Sequence, residues 1–307
     1  MNNFLQFYQH IPERINPEIF RIGFFSIGWY AVMYFVAFFV VLGLLKKRLR
    51  KGEDGNIFSK IDCEKNKNAR DKLQEKKDLI LNLLYFCFFG AIIGGRLGYV
   101  FFYDFSFYFA HPLAVISPFD SFTGELVGIY GMSYHGGLIG ALIAALIFTR
   151  KYKLNFWALA DFVVPAIPAG YFFGRIGNFL NGELYGRATS AITGMYFPSS
   201  AEMQDLASQQ LRHPSQLYEA SLEGLLLFFI FWKVRNEKRF QGKLLALYLI
   251  SYAVMRFLGE FFREPDAQIG FIFGSFTLGQ LFSAGMFFFG LIMLFTKKQS
   301  CGTIRQC

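Results

Sequence analysis

The stretch IGFFSIGWYAVMYFVAFFVVLGLL (22–45) contains no charged residue, and about 20 apolar residues suffice for a helix to cross a bilayer. SFTLGQLFSAGMFFFGLIMLF (275–295) reads the same way. Working outward, apolar segments recur at roughly 79–103, 132–149, 155–174, 215–232 and 244–262, making seven with these two. The chain has 307 residues, is 54% hydrophobic, carries 41 Phe and is 17% charged, against about 25% charged in an ordinary soluble domain. A soluble enzyme, a secreted disulfide scaffold and a disordered tail are excluded. The expected fold class is all-α, a polytopic membrane protein of seven transmembrane helices forming one integral-membrane domain over 1–307.

Residues 1–20 lack the basic start and apolar core of a cleavable signal and are expected to form an interfacial N-terminal arm. The four cysteines, Cys63, Cys87, Cys301 and Cys307, show neither metal-ligand spacing nor a disulfide framework. No metal and no cofactor is expected.

Basic residues orient the chain. Residues 46–77 hold twelve Lys or Arg, 150–153 three, 233–243 five and the stretch after Phe295 three, so 23 of 31 lie at alternate ends of the segments. That side is cytoplasmic by the positive-inside rule, which puts the N-terminus outside and the C-terminus inside. The net charge of +9 is then a topology signal facing anionic lipid and needs no nucleic acid. The remaining eight are all Arg: 14, 21, 96, 175, 187, 212, 256 and 263. At ~1.5 Å per helical residue, Arg96 lies about 25 Å from the cytoplasmic end of its segment, and Arg256 about 20 Å from Lys243. Both therefore fall in the outer half of the membrane.

Ionisable groups inside a bundle are costly and usually functional. Arg256 and Glu260, at i and i+4, share a helix face; they form either a structural ion pair or part of a site. Arg suits phosphate because its fork of donors never loses its charge. GRIGNFLNGELYGR (174–187) packs two Arg, two Asn, one Glu and four Gly behind a helix broken by Pro165 and Pro168. Arg175, Asn178 and Asn181 offer donors to an oxyanion there. His135, opening HGGLIG, is either an interfacial cap or a general base. Gly90, Gly94 and Gly98, Gly136 with Gly140, and Gly170 with Gly174 repeat every four residues, the spacing of close helix contacts in membranes.

HGGLIG (135–140), GRIGNFLNGELYGR (174–187), RHPSQLYE (212–219) and RFLGEFFREPDAQ (256–268) resemble the signature segments of the bacterial prolipoprotein diacylglyceryl transferase family. GGRLGYVFFY (94–103) and TLGQLFS (277–283) fit as well. The resemblance implies a multi-pass protein of the bacterial inner membrane with a periplasmic N-terminus, a cytoplasmic C-terminus, a cytoplasmic basic loop at 46–78 and a small periplasmic head at 175–214. It implies transfer of the diacylglyceryl group of phosphatidylglycerol to the lipobox cysteine of a prolipoprotein signal peptide, with release of glycerol phosphate. By resemblance His135, Arg175, Arg256 and Glu260 are catalytic. Tyr30, Arg175, Asn178, Glu183 and Gly186 match substrate-binding positions, and Arg96 joins them on its depth. The basic insert around 51–77 is long for this family. An anionic-lipid transporter would also place Arg in a membrane cavity, but no internal repeat is visible. A non-catalytic lipid-binding scaffold would need no His at the rim.

The charge asymmetry makes a direct prediction. In intact cells a membrane-impermeant thiol reagent should modify Ser121→Cys and spare Lys65→Cys; the reverse pattern would invert the topology.

Overall fold

The computed structural model describes residues 2–22, 25–117, 131–198, 210–264, 271–272 and 276–296. Ser121, Cys301, Cys307 and positions 265–268 of the last long motif lie outside the described residues. The chain is mostly helical, and a helix falls on each of the seven apolar segments. Among the described residues four are long and apolar enough to cross a membrane: Trp29–Arg50, Ala69–Phe102, Phe156–Leu180 and Leu278–Thr296. Their outward faces carry exposed Phe35, Phe39, Phe88, Phe89, Phe288 and Phe295, the surface a hydrocarbon solvent requires.

Two small hairpins qualify the all-α expectation. Glu18–Ile22 pairs antiparallel with Phe25–Gly28, and Phe271–Ile272 with Phe276–Thr277. The first long apolar helix therefore starts at Trp29, not at residue 22, because the chain just ahead of it forms a strand pair.

The described residues form two compact units, one running to Leu45 and again from Ala160 onward, the other spanning Lys46–Leu159. In the second unit the 34-residue helix Ala69–Phe102 packs along Tyr134–Lys151. Their glycine faces meet each other. A Cβ added to Gly94 would lie 2.7 Å from the Gly140 Cα, and one on Gly98 2.8 Å from the Gly136 Cα. The spacing of small residues thus sets the contact, since apolar burial alone offers helices little driving force in lipid.

The expected basic loop at 46–78 is instead folded. Asn68 caps the long helix by accepting from the Asp71 amide at 2.9 Å, so the helix starts ten residues ahead of the apolar segment. Lys76 Nζ stands 2.7 Å from both Asp54 and Asp62, and Arg48 Nε 2.9 Å from Glu53. Ile57, Phe58 and Ile61 are buried. Paired charges over an apolar floor let a charge-rich stretch hold a structure. Cys87 is free.

In the first unit Val164, Leu227, Phe231, Leu244 and Tyr248 form an apolar core. Pro165 and Pro168 supply no N–H for an α-helical ladder, and Val164–Ala166 tightens to a 3₁₀ turn there. The Asp161 carboxylate accepts from the Leu245 amide at 2.9 Å, closing the start of the Leu244–Gly259 helix.

Leucine at Gly94 should disrupt its helix pair, since overpacking a tight contact costs about 1–3 kcal/mol. Gly43→Leu, where an added Cβ meets nothing within 4 Å, should leave thermal unfolding in detergent unchanged. Equal losses at the two positions would contradict the glycine contact.

Candidate active site

The helix expected to end near residue 174 continues to Leu180, so Tyr171, Arg175 and Asn178 recur at three- and four-residue spacing on one helix face. Arg175 Nε donates to the Tyr171 hydroxyl at 2.7 Å and lies 2.8 Å from Glu219 Oε2; Nη1 donates to Asn178 Oδ1 at 3.4 Å. Asn178 passes the chain on, donating to Glu183 Oε1 at 2.8 Å. Tyr30, whose hydroxyl is 2.8 Å from that of Tyr34, lies against Gly177: a Cβ there would come within 3.3 Å of the Tyr30 ring.

Glu219 and Glu223 complete the site. Ser215–Glu219 is α-helical, Ala220–Leu226 widens into a π-helical turn, and Leu227–Val234 returns to α; such turns frequently mark functional sites. The side chains of Glu219 and Glu223 are 1% and 0% exposed. Glu219 Oε1 is 2.7 Å from Arg256 Nη1 and 3.7 Å from Arg263 Nη1, while its other oxygen meets Arg175. Glu223 takes the Tyr171 hydroxyl at 2.5 Å and stands 3.8 Å from Arg256. Arg256 Nη2 is 2.7 Å from Glu260, the i,i+4 partner expected from spacing. Three arginines and three glutamates are thereby interlocked. Neither Glu219 nor Glu223 was singled out from sequence. Their signal was two carboxylates inside an apolar segment, where an unpaired charge is costly.

The polar stretch that follows is laced to the helices by backbone. The Gly186 amide donates to His213 O at 2.8 Å and the Arg187 amide to Phe262 O at 2.9 Å. A Cβ at Gly186 would lie 2.9 Å from both the Cβ and the carbonyl oxygen of His213, so only glycine admits this approach. Arg187 Nε donates to Arg263 O at 2.8 Å, and Arg212 Nη1 lies 3.2 Å from Glu264. Partial burial lowers the His213 imidazole from its usual value, favouring the neutral ring.

Two expected site residues belong to the second unit. Arg96 is buried, donating from Nε to Val115 O and from Nη2 to Ala114 O, both at 2.7 Å, and from Nη1 to Gly131 O at 3.3 Å. Its guanidinium also covers the Tyr108 ring at 4.9 Å. His135 is exposed in the first turn of Tyr134–Lys151, behind the capping Ser133. Among the described residues no group of His, Cys, Asp or Glu is arranged to hold a metal ion.

Removing one partner of a buried ion network strands the others, at about 3–5 kcal/mol. Glu219→Ala should show that loss in detergent unfolding, because three guanidiniums share its carboxylate. Wild-type stability in this variant would contradict the geometry.

The comparisons with known proteins agree with one another. Residues 17–296 match the family model described as prolipoprotein diacylglyceryl transferase. A Chlorobaculum tepidum protein named phosphatidylglycerol–prolipoprotein diacylglyceryl transferase is 42% identical over 301 residues, covering 97% of this chain and 96% of its own. A Campylobacter curvus protein of the same name is 41% identical over 295 residues, covering 95% and 98%. A match spanning nearly all of the chain leaves one conclusion, that this protein belongs to the prolipoprotein diacylglyceryl transferase family.

Proposed function

We propose that this chain transfers the diacylglyceryl group of phosphatidylglycerol to the lipobox cysteine thiol of prolipoproteins, forming a thioether and releasing glycerol phosphate. This is the first step of bacterial lipoprotein maturation. Family membership supports the reaction. The observation that carries it onto residues is the buried arginine set around Glu219.

A free thiol has a pKa of about 8.5 and reacts as the thiolate. The thiolate attacks the diacylglyceryl carbon that bears the phosphate; the C–S bond forms, the C–O bond on that carbon breaks, and the electron pair leaves on the phosphate of glycerol phosphate. Negative charge on that phosphate grows in the transition state, where prearranged donors are worth most. Arg175 and Arg256 are the proposed donors. Glu219 and Glu260 hold the two guanidiniums in place at 2.7–2.8 Å, and each guanidinium has five N–H groups, more than these partners use. Asn178, Glu183, Gly186 and Tyr30 shape the surround. His135 is the proposed acceptor of the thiol proton, a role that rests on the resemblance. Arg96, a substrate-binding residue by its depth in the membrane, has its guanidinium held by the carbonyls of Ala114, Val115 and Gly131.

The placement follows the charge distribution: seven spans in the bacterial inner membrane, N-terminus periplasmic, C-terminus cytoplasmic, and the head built on the outer side.

The test is glycerol phosphate release from phosphatidylglycerol by purified protein given a lipobox peptide. Arg256→Lys should fold and lose about 10²-fold in kcat, the worth of one transition-state donor, because a point charge cannot reproduce a guanidinium fork. Normal turnover would remove the clamp. His135→Gln should fall by roughly 10²–10⁴ and recover partly as pH rises through the thiol pKa; a deficit independent of pH would remove the base.

A further inference from the structure

TLGQ (277–280) forms a reciprocal cap at the start of the Leu278–Thr296 helix. The Gln280 amide donates to Thr277 Oγ1 at 3.2 Å, and the Thr277 amide to Gln280 Oε1 at 3.1 Å. This is the capping-box arrangement, in which the first and fourth residues satisfy each other's backbone donors. Capping alone would be served by many residues at the third position, yet that position is Gly279. A Cβ there would lie 2.7 Å from the Cδ and Oε1 of Glu260 and 2.9 Å from Oε2. The Thr277 hydroxyl, accepting from the Gln280 amide, donates its own proton to Glu260 Oε1 at 3.1 Å. The carboxylate thus sits in the first turn of a 19-residue helix, where the positive end of the helix dipole favours an anion. Its second oxygen is left for Arg256 Nη2 at 2.7 Å. Thr277, Gln280 and Glu260 are all buried.

We propose that Thr277 and Gly279 are positioning residues for the transfer reaction, seating the Glu260 carboxylate and through it aiming the Arg256 guanidinium. The inference rests on the phosphate clamp proposed above. It separates two demands that one short motif meets: the hydroxyl fixes the carboxylate's rotation, and the missing Cβ fixes its depth. Shortening the carboxylate should therefore relieve the same clash that an added methyl creates.

The experiment is a double-mutant cycle in the glycerol phosphate assay, using Gly279→Ala, Glu260→Asp and their combination. Alanine is the better helix former, so a role for Gly279 confined to the helix cap predicts unchanged turnover. The seat predicts at least a tenfold fall in kcat for Gly279→Ala in protein that still folds, and a double variant no slower than Glu260→Asp alone. Gly285→Ala, in the same helix with nothing within 4 Å of an added Cβ, should be silent. Thr277→Ser should keep turnover, and Thr277→Val should lower kcat more than it alters KM. Wild-type turnover in Gly279→Ala, or penalties that multiply in the double variant, would overturn the seat. Normal turnover in Arg256→Lys would instead overturn the clamp, which keeps the two failures distinct.

Discussion

One carboxylate, that of Glu219, organises the first unit. It meets Arg175 through one oxygen and Arg256 and Arg263 through the other. A charge in an apolar bundle is affordable only when paired, and even then the desolvation of each ion costs several kcal/mol. The observed answer is a balanced set of three cations and three anions on the Phe156–Leu180, Ser215–Val234 and Leu244–Gly259 segments and the turn after the last. Such a set adds little net stability. What it provides is orientation: guanidiniums that would otherwise swing on long side chains are held at fixed distances.

Orientation matters for an anion that gains charge as its bond breaks. Donors already in place need no rearrangement at that moment. The supports extend outward from Glu219 in layers. Tyr171 links Arg175 to Glu223, Glu260 braces Arg256, and the Thr277 cap braces Glu260. Backbone bridges at Gly186 and Arg187 tie the polar stretch to the turn after Leu244–Gly259, and Arg212 bridges to Ala188 and Met195 within the stretch.

Much of this was legible in the residues. Apolar runs located every major helix, and the four-residue glycine spacing located the contact between Ala69–Phe102 and Tyr134–Lys151. Gly174 is an exception, since nothing lies within 4 Å of an added Cβ there; spacing cannot show whether a small face has a partner. The i,i+4 rule found Arg256 with Glu260 because both lie on one helix. It could not find Glu219, whose three partners come from other segments. Residues 46–78 read as a loop for a related reason, since Lys76 and Asp54 are 22 positions apart and meet only once the chain folds. The Glu18–Gly28 hairpin was hidden by its apolarity, which suits a strand as well as a helix.

The central claim is that Arg175 and Arg256 act on one phosphate. The most direct measurement is kcat/KM for Arg175→Lys, Arg256→Lys and the double variant, with phosphatidylglycerol as the varied substrate. Groups that serve one anion together are non-additive, so the double variant should be about as impaired as the worse single variant. Penalties that multiply would mean that the two arginines act independently, and would contradict the shared clamp.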